Sequence, residues 1–292
     1  MLRAVTWDVR RFPSLGSTND WVLAQARSGA DEGLVAVADH QVAGRGRLGR
    51  RWEAPAGTAL LASVLLRPLA PAASLYACTA AVALAAADAC RTVAGVAPTI
   101  KWPNDLVVPA GAGPGDGEGA DACGHEGGGT RKLAGVLADS DAAAPGGRQG
   151  SIAVVVGLGL NVSWAPDGAT CLADQMAGGA SRDIRDRTAA ALVEALLLAW
   201  LEALGPRVPL LDQKDGRAAV LDELREQCVT LGQEVRVELG GEAAVSGTAV
   251  RIDTRGRLVI AAGDGGGVRD AGETSVAAGD VVHLRPGARR PG

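Results

Sequence analysis

The chain is short of aromatic side chains, with six Trp, one Tyr and one Phe in 292 residues. Ala and Gly stand where bulkier residues would, so its elements are expected to pack closely on small side chains. Excess positive charge is lacking too. Twenty-nine Lys and Arg against 33 Asp and Glu leave a formal net charge of −4, which argues against a protein whose main work is coating a polyanion, since nonspecific nucleic-acid binding rests on accumulated cations. The five cysteines are scattered and odd in number; they give no disulfide framework and read as free thiols of a reducing, cytoplasmic compartment. Met1 to Phe12 holds Trp7, Asp8 and three arginines instead of a basic stretch followed by an apolar one, so no secretory signal is expected. No apolar run reaches the roughly 18 residues of a membrane span. The most apolar helix is expected around Ala189 to Leu204, where Glu194 and Glu202 interrupt it, and no membrane partner is expected.

What is there suits a catalytic domain plus a small second one. Ser17-Thr18-Asn19-Asp20 offers N-cap side chains for a short helix that runs to Arg27 and stops at Gly29. Leu34 to Ala38 and Thr58 to Leu66 read as strands. Ser74 to Ala94 reads as a long buried helix with Ser74 as its cap and Gly95 as its stop. Thr99 to Trp102, Leu106 to Val108, Lys132 to Ala138 and Ile152 to Val156 are short strand candidates. Between them, residues 109–130 form an insertion of Gly, Ala, Asp and Pro that cannot bury enough apolar surface to order itself, and it is expected to be mobile. Its Cys123 and His125 fall short of the ligand number a zinc site needs. Helices at Asp186 to Leu204 and Arg217 to Gln227 follow. The pattern then changes to brief strands, Glu234 to Leu239, Ala243 to Ile252, Leu258 to Ala262 and Val281 to Leu284, between Gly-rich turns. The expectation is an α+β fold: a mixed β-sheet with flanking helices over residues 1–227, and a small antiparallel barrel over 228–287.

Four segments carry candidate chemistry. Gly44-Arg45-Gly46-Arg47-Leu48-Gly49-Arg50, after His40-Gln41-Val42-Ala43, is a loop in which arginine forks match carboxylate or phosphate oxygens and glycine lets backbone approach a ligand. Read alone it is equally a solvated basic turn or an RNA-binding Arg-Gly segment. Lys101-Trp102-Pro103-Asn104-Asp105 gathers a cation, an aromatic, a rigid turn and a carboxylate at a strand end, where proline keeps Trp102 out of helical geometry. Lys132-Leu133-Ala134-Gly135 places one lysine at the entry of an apolar strand. Gly157-Leu158-Gly159-Leu160-Asn161 lacks the third glycine and the helix of a dinucleotide fingerprint. It suits instead a flat ring packed on backbone, with the Asn161 amide at its edge.

Taken together and in this order, Ser17-Thr18-Asn19, the arginine loop, Lys101 to Asp105, Lys132 to Gly135 and Gly157 to Asn161 resemble the motif series of the biotin protein ligase family. The resemblance is strong over about residues 14–165 and weak over the C-terminal barrel. It implies the family's class II synthetase-like catalytic fold, an SH3-like C-terminal barrel, and an AMP-forming, ATP-dependent transfer of biotin to a lysine of a biotin carboxyl carrier protein. By the same resemblance Ser17, Thr18, Asn19 and Gln41 would bind the ureido ring of biotin, and Trp52 would line the site. Arg45, Gly46, Arg47, Lys132 and Gly135 would complete the biotin pocket. Arg47, Arg50, Asn104, Lys132 and Asn161 would hold ATP or the adenylate, with Asn161 at adenine. Arg45, Arg47, Lys132 and Asp105 would carry the chemistry, Asp105 by orienting the acceptor lysine or a metal ion, and Mg²⁺ would accompany ATP with no protein-only metal site.

Some family members have an N-terminal winged helix and repress transcription; with sixteen residues before Ser17, a monofunctional ligase without DNA binding is expected, as a monomer or weak homodimer. A lipoate-type ligase shares the fold and the acyl-adenylate logic but fits the arginine loop and the Lys101 to Asp105 corner poorly. A nucleic-acid-binding module fits the acidic balance poorly.

Overall fold

Along each central strand the side chains alternate between two faces, and that alternation decides which face meets helices and which is left for a ligand. The computed structural model describes residues 4–110, 129–176, 182–239, 244–262, 272–277 and 279–283. Seven strands, β1 (Asp8–Phe12), β2 (Leu34–Ala38), β3 (Ala59–Leu66), β4 (Thr99–Lys101), β5 (Asp105–Pro109), β6 (Thr130–Asp141) and β7 (Ala153–Asn161), form one sheet in the order β1-β2-β3-β7-β6-β5-β4. The β1–β2 pair is parallel and every other neighbouring pair is antiparallel, the mixed sheet expected from the sequence.

The described residues also form the helices α1 (Thr18–Arg27), α2 (Tyr76–Ala94), α3 (Leu172–Gln175), α4 (Arg182–Leu204) and α5 (Lys214–Glu226), of which α1, α2 and α4 pack on the sheet. Extended backbone at Ser17 lets its hydroxyl accept the Asp20 amide at 3.4 Å, which starts α1. The α1 side chains Val22 and Ala26 pack on Leu65, Ala153 and Val155 on one face of the sheet. The opposite parity, Leu60, Ala62, Val64 and Leu66 of β3 with Val154, Val156 and Leu158 of β7, shares the main core with α2 and α4. Small residues make α2 suitable for this central place. Thirteen of its nineteen residues are buried, and it ends at Gly95, whose φ of 67° would strain a residue with a β-carbon.

Three expectations are corrected here. The most apolar helical stretch is Ala72–Ala94, not 189–204; it is long and apolar enough to cross a membrane, yet 72% of its apolar window is buried within the protein. Ser74 belongs to a one-turn 3₁₀ segment, and α2 begins after Leu75 with no side-chain cap. Gly157 to Asn161 does not follow a strand but forms its second half, because backbone pairing with β3 and β6 on both sides holds the glycines extended. Residues 111–128, with Cys123 and His125, lie outside the described residues; on either side, Pro109 pairs with Thr130 across β5 and β6.

A second sheet, β8 (Glu234–Glu238), β9 (Ala244–Ile252), β10 (Leu258–Ala261), β11 (Glu273–Val276) and β12 (Asp280–His283), is antiparallel in the order β11-β10-β9-β8-β12. β1 and β11 were not anticipated. The two sheets share a core: Val235, Val237, Ala249, Ile252, Leu258 and Ile260 are continuous with Ile100, Trp102 and Leu106. Backbone bonds from Ile100 N–H to Gln227 and from Val229 N–H to Ile100, both 2.9 Å, join them beside β4.

Arg67, at the end of β3, is 1% exposed. Its guanidinium donates to the carbonyls of Ala26, Ala30, Pro145 and Gly146 at 2.7 to 3.2 Å, tying the C-terminal turn of α1 to the segment before β7. Arg67→Met would leave those acceptors without this donor, and a loss of about 2–4 kcal/mol of unfolding free energy is expected. Urea unfolding of the two proteins checks it; a loss below about 1 kcal/mol would show that water replaces the guanidinium.

Candidate active site

Three glycines clear the floor of the site. Gly157 and Gly159 have the parity of Ala153 and Val155, the face on which α1 packs farther along, and Gly135 of β6 lies opposite Gly159. A β-carbon on Gly157 would stand 2.2 Å from Asn19 Oδ1, and one on Gly159 would stand 2.5 Å from the Trp52 ring. On Gly135 it would meet Trp52 at 3.1 Å and Lys132 at 3.2 Å. Bare backbone here lets the Trp52 indole lie on the sheet. The flat ring anticipated on these glycines is thus supplied, in this structure, by the protein itself.

One wall is a hydrogen-bond network at the start of α1. The Thr18 N–H and hydroxyl both point to Gln41 Oε1, at 2.7 and 3.0 Å. Asn19 Nδ2 donates to the Leu137 carbonyl at 3.1 Å and to Asp139 Oδ2 at 2.9 Å. Its own Oδ1 faces the buried Ser63 hydroxyl of β3 at 2.6 Å. Ser63 and Asp139 were missed in the sequence, where a serine inside an apolar strand and an aspartate beyond Leu137 carry no motif signal.

The other wall is cationic, and nearly every cation has a counter-ion. Arg45 pairs with Asp20 at 2.6 Å and Asp139 at 2.9 Å, Lys132 with Asp105 at 2.8 Å, and Arg51 with Glu53 at 3.5 Å. Arg50 pairs with Asp280, which comes from β12 of the second sheet. The Lys132 ammonium also stands 5.5 Å from the Trp52 ring centroid, within cation–π range. Arg47 differs. Its Nη1 donates to Asn104 Oδ1 at 3.1 Å, while Asn104 Nδ2 is held by the Val136 carbonyl at 2.8 Å, and among the described residues no carboxylate lies within ion-pair distance of Arg47. Burial lowers its pKa from the ordinary value, with Asp105 opposing.

These walls line a cleft that is partly open to solvent, with a cavity volume of about 130 Å³. Ser17, Thr18, Asn19, Gln41, Arg45, Gly46, Arg47, Arg50, Trp52, Asn104, Asp105, Lys132 and Gly135 all line it. Of the candidate site residues, Asn161 alone does not. It is 2% exposed at the end of β7, with Nδ2 donating to the Thr170 carbonyl at 3.1 Å and Oδ1 lacking a partner among the described residues. The sequence candidates omitted Asp280, since nothing in a short strand of the barrel announces a reach of 230 positions back to Arg50.

A family model described as the biotin/lipoate A/B protein ligase family matches residues 12–161, and one described as the biotin protein ligase C terminal domain matches residues 230–284. The chain belongs to this ligase family. It is 36% identical over 283 residues to the biotin--[acetyl-CoA-carboxylase] ligase of Mycobacterium tuberculosis, an alignment covering 92% of this chain and 86% of that protein. The bifunctional ligase/repressor BirA of Bacillus subtilis is 30% identical over 153 residues, which is 52% of this chain and 40% of that protein. Among solved structures, the biotin protein ligase from Aquifex aeolicus in complex with biotin and ATP superposes with a TM-score of 0.65 at 21% identity, over 95% of this chain and 99% of that one. At that identity the superposition speaks for the fold, and both sheets of the ligase architecture are included in it.

Proposed function

We propose that this ligase uses ATP to convert the biotin carboxylate into biotinyl-5′-AMP and passes biotin to a lysine of a biotin carboxyl carrier protein or domain. The observation that carries the reading is Arg47: a half-buried guanidinium, aimed by Asn104 and lacking a carboxylate counter-ion among the described residues, in a cleft whose remaining cations have weak, replaceable partners. Such a cleft awaits an anion. Adenylation brings a carboxylate against a polyphosphate, and two unit charges at about 4 Å repel by roughly 1 kcal/mol in water and about 4 kcal/mol at an effective dielectric near 20. Arg47, Lys132 and Arg45 would offset that repulsion and stabilise the charge that grows on the α-phosphate.

Division of labour follows from the two walls. Ser17, Thr18, Asn19 and Gln41 supply neutral donors and acceptors suited to the ureido ring, whereas Arg47, Arg50, Asn104 and Lys132 face the nucleotide side. Asn161 is buried outside the cleft lining and would reach adenine only if its wall rearranged. Mg²⁺ would arrive on the phosphates of ATP and help neutralise them, with Asp105 as a cleft carboxylate able to reach it; one or two carboxylates plus substrate oxygens are its common coordination. AMP is a good leaving group, so the acceptor lysine needs no enzyme nucleophile. The buried thiols fit that: burial pushes Cys78 and Cys90 up to about 12, and neither lines the cleft.

Support for biotin over lipoate comes from the names of the relatives, since the matched family spans both vitamins. We assign residues 1–227 to catalysis and 228–287 to the C-terminal barrel, and we place the protein in the cytoplasm as a monomer or weak homodimer. Biotin-dependent exchange of pyrophosphate into ATP tests substrate and reaction type together. Exchange with biotin and not with lipoate is expected; exchange driven by lipoate, or by neither, would overturn the proposal.

A further inference from the structure

The second sheet reaches the cleft through Asp280. This first residue of β12 lines the same cleft as Asn104 and Asp105, and its carboxylate pairs with Arg50 of the arginine loop. Its position is fixed from behind. β12 pairs with β8 from Asp280↔Glu238 to His283↔Val235, and the sheet is keyed to the Lys101–Asp105 corner by the turn after β9. There the buried Trp102 donates Nε1–H to the Gly256 carbonyl at 2.9 Å. Gly256 has φ +78°, and a β-carbon on it would fall 2.0 Å from the Tyr76 ring, whose hydroxyl donates to the Pro103 carbonyl at 2.8 Å. Asp280 is thus a charge on a frame bolted to the same corner that presents Asn104 and Asp105.

Its surroundings are cationic. Besides Arg50, both Arg47 and Lys101 lie close enough to feel its field. His283, three positions along β12, adds no charge at neutral pH, because burial and then Lys101 push its pKa down to about 4. A carboxylate fixed among guanidinium and ammonium groups occupies the electrostatic place of a phosphate.

We infer that Asp280 is a resident counter-ion of the nucleotide site: it holds Arg50 while the cleft is empty and yields it to the phosphates of ATP, so that a residue of the C-terminal sheet sets nucleotide affinity. The inference rests on the adenylating function proposed above. Arg50 can change partners readily, because a solvent-exposed pair of this kind contributes little on its own. A carboxylate that stays behind next to a triphosphate, however, disfavours it as a like charge. By linkage, ATP loosens the hold of the loop on β12 by the factor by which that hold weakens ATP.

Asp280→Asn keeps the size of the side chain and removes its charge. Titration calorimetry with a nonhydrolysable ATP analogue, together with KM values for ATP and biotin in pyrophosphate exchange, reads the consequence. The Kd of the analogue and the KM for ATP are expected to fall roughly three- to tenfold, with the KM for biotin changed by less than about twofold, and Asp280→Ala should move ATP affinity in the same direction. Unchanged or weakened ATP binding in Asp280→Asn, as a purely structural role in the joint or a metal-ligating role would give, overturns the inference. If the parent protein showed no biotin-dependent exchange, the proposed function would fall instead, and the calorimetric arm would still read the Asp280 effect on nucleotide.

Discussion

Replacing Lys132 by alanine is expected to slow biotin-dependent pyrophosphate exchange by about 10²- to 10³-fold, the loss typical when one preorganised charge stabiliser is removed from an active site. The magnitude follows from where the ammonium stands. It is held by Asp105 at 2.8 Å and lies 5.5 Å from the Trp52 ring centroid, so it is positioned before any substrate enters. Without it Asp105 loses its ion-pair partner and leaves more negative charge in the cleft, where two anions must meet. Two consequences separate this from damage to the fold. Lys132 lies near the entry of β6 and is half-exposed, so thermal unfolding should shift by no more than a few degrees. A second change, Asp105→Asn, should return part of the lost rate if the orphaned charge is part of the harm. Exchange in Lys132→Ala above about a tenth of the parent rate would remove Lys132 from the chemistry.

Local chemistry explains what could be read from the sequence. Ser17 caps α1 because a short side-chain oxygen in extended backbone can reach an amide three residues on, and that rule needs no tertiary context. Gly95 stops α2 for an equally local reason. The candidate site residues from Ser17 to Lys132 line one cleft because they sit at the start of α1, near strand ends or in and beside the arginine loop, the places where a sheet presents polar groups. Long-range pairing explains what was not legible. β1 has no apolar alternation of its own and is a strand because Gly33 and β2 offer it a parallel edge. Gly157 to Asn161 looked like a strand end because glycine disfavours strands, yet pairing with β3 and β6 on both sides overrides that preference. Asp280 had no signal at all. Its role depends on a contact between β12 and a loop 230 positions away, which no window of sequence contains.

The Arg47 geometry shows why neighbouring arginines in one loop should not be interchangeable. Arg45 already has two carboxylates and Arg50 has Asp280, whereas Arg47 is aimed by a neutral amide that does not compete with an incoming anion. An anionic substrate therefore displaces nothing charged to reach Arg47, but must exchange partners at Arg45 and Arg50. Loop sequence alone, with its repeated Arg-Gly pattern, ranks none of them.

A valine at position 159 should cost binding far more than it costs the fold. The new β-carbon would start 2.5 Å from the Trp52 ring, with two further ring atoms within 2.9 Å, closer than real β-carbons approach anything. Either the strand or the ring must move. β7 is pinned at this position by Leu61 on one side and Gly135 on the other, in the middle of the sheet, so the ring is the part that yields. Overpacking of this kind is worth about 1–3 kcal/mol; expressed as substrate binding, that is a loss of roughly 5- to 150-fold. Valine is also a better strand residue than glycine, so part of the folding cost is returned. Gly135→Ala is the graded comparison: its contacts would be 3.1 Å to the edge of Trp52 and 3.2 Å to the flexible end of Lys132, which a few tenths of an ångström relieve, and its effect should be several times smaller. Calorimetric binding of biotin and of an ATP analogue to both variants, alongside thermal unfolding, measures the two costs separately. Parent-like binding by Gly159→Val would mean that the floor need not be bare and that Trp52 does not have to lie where it lies.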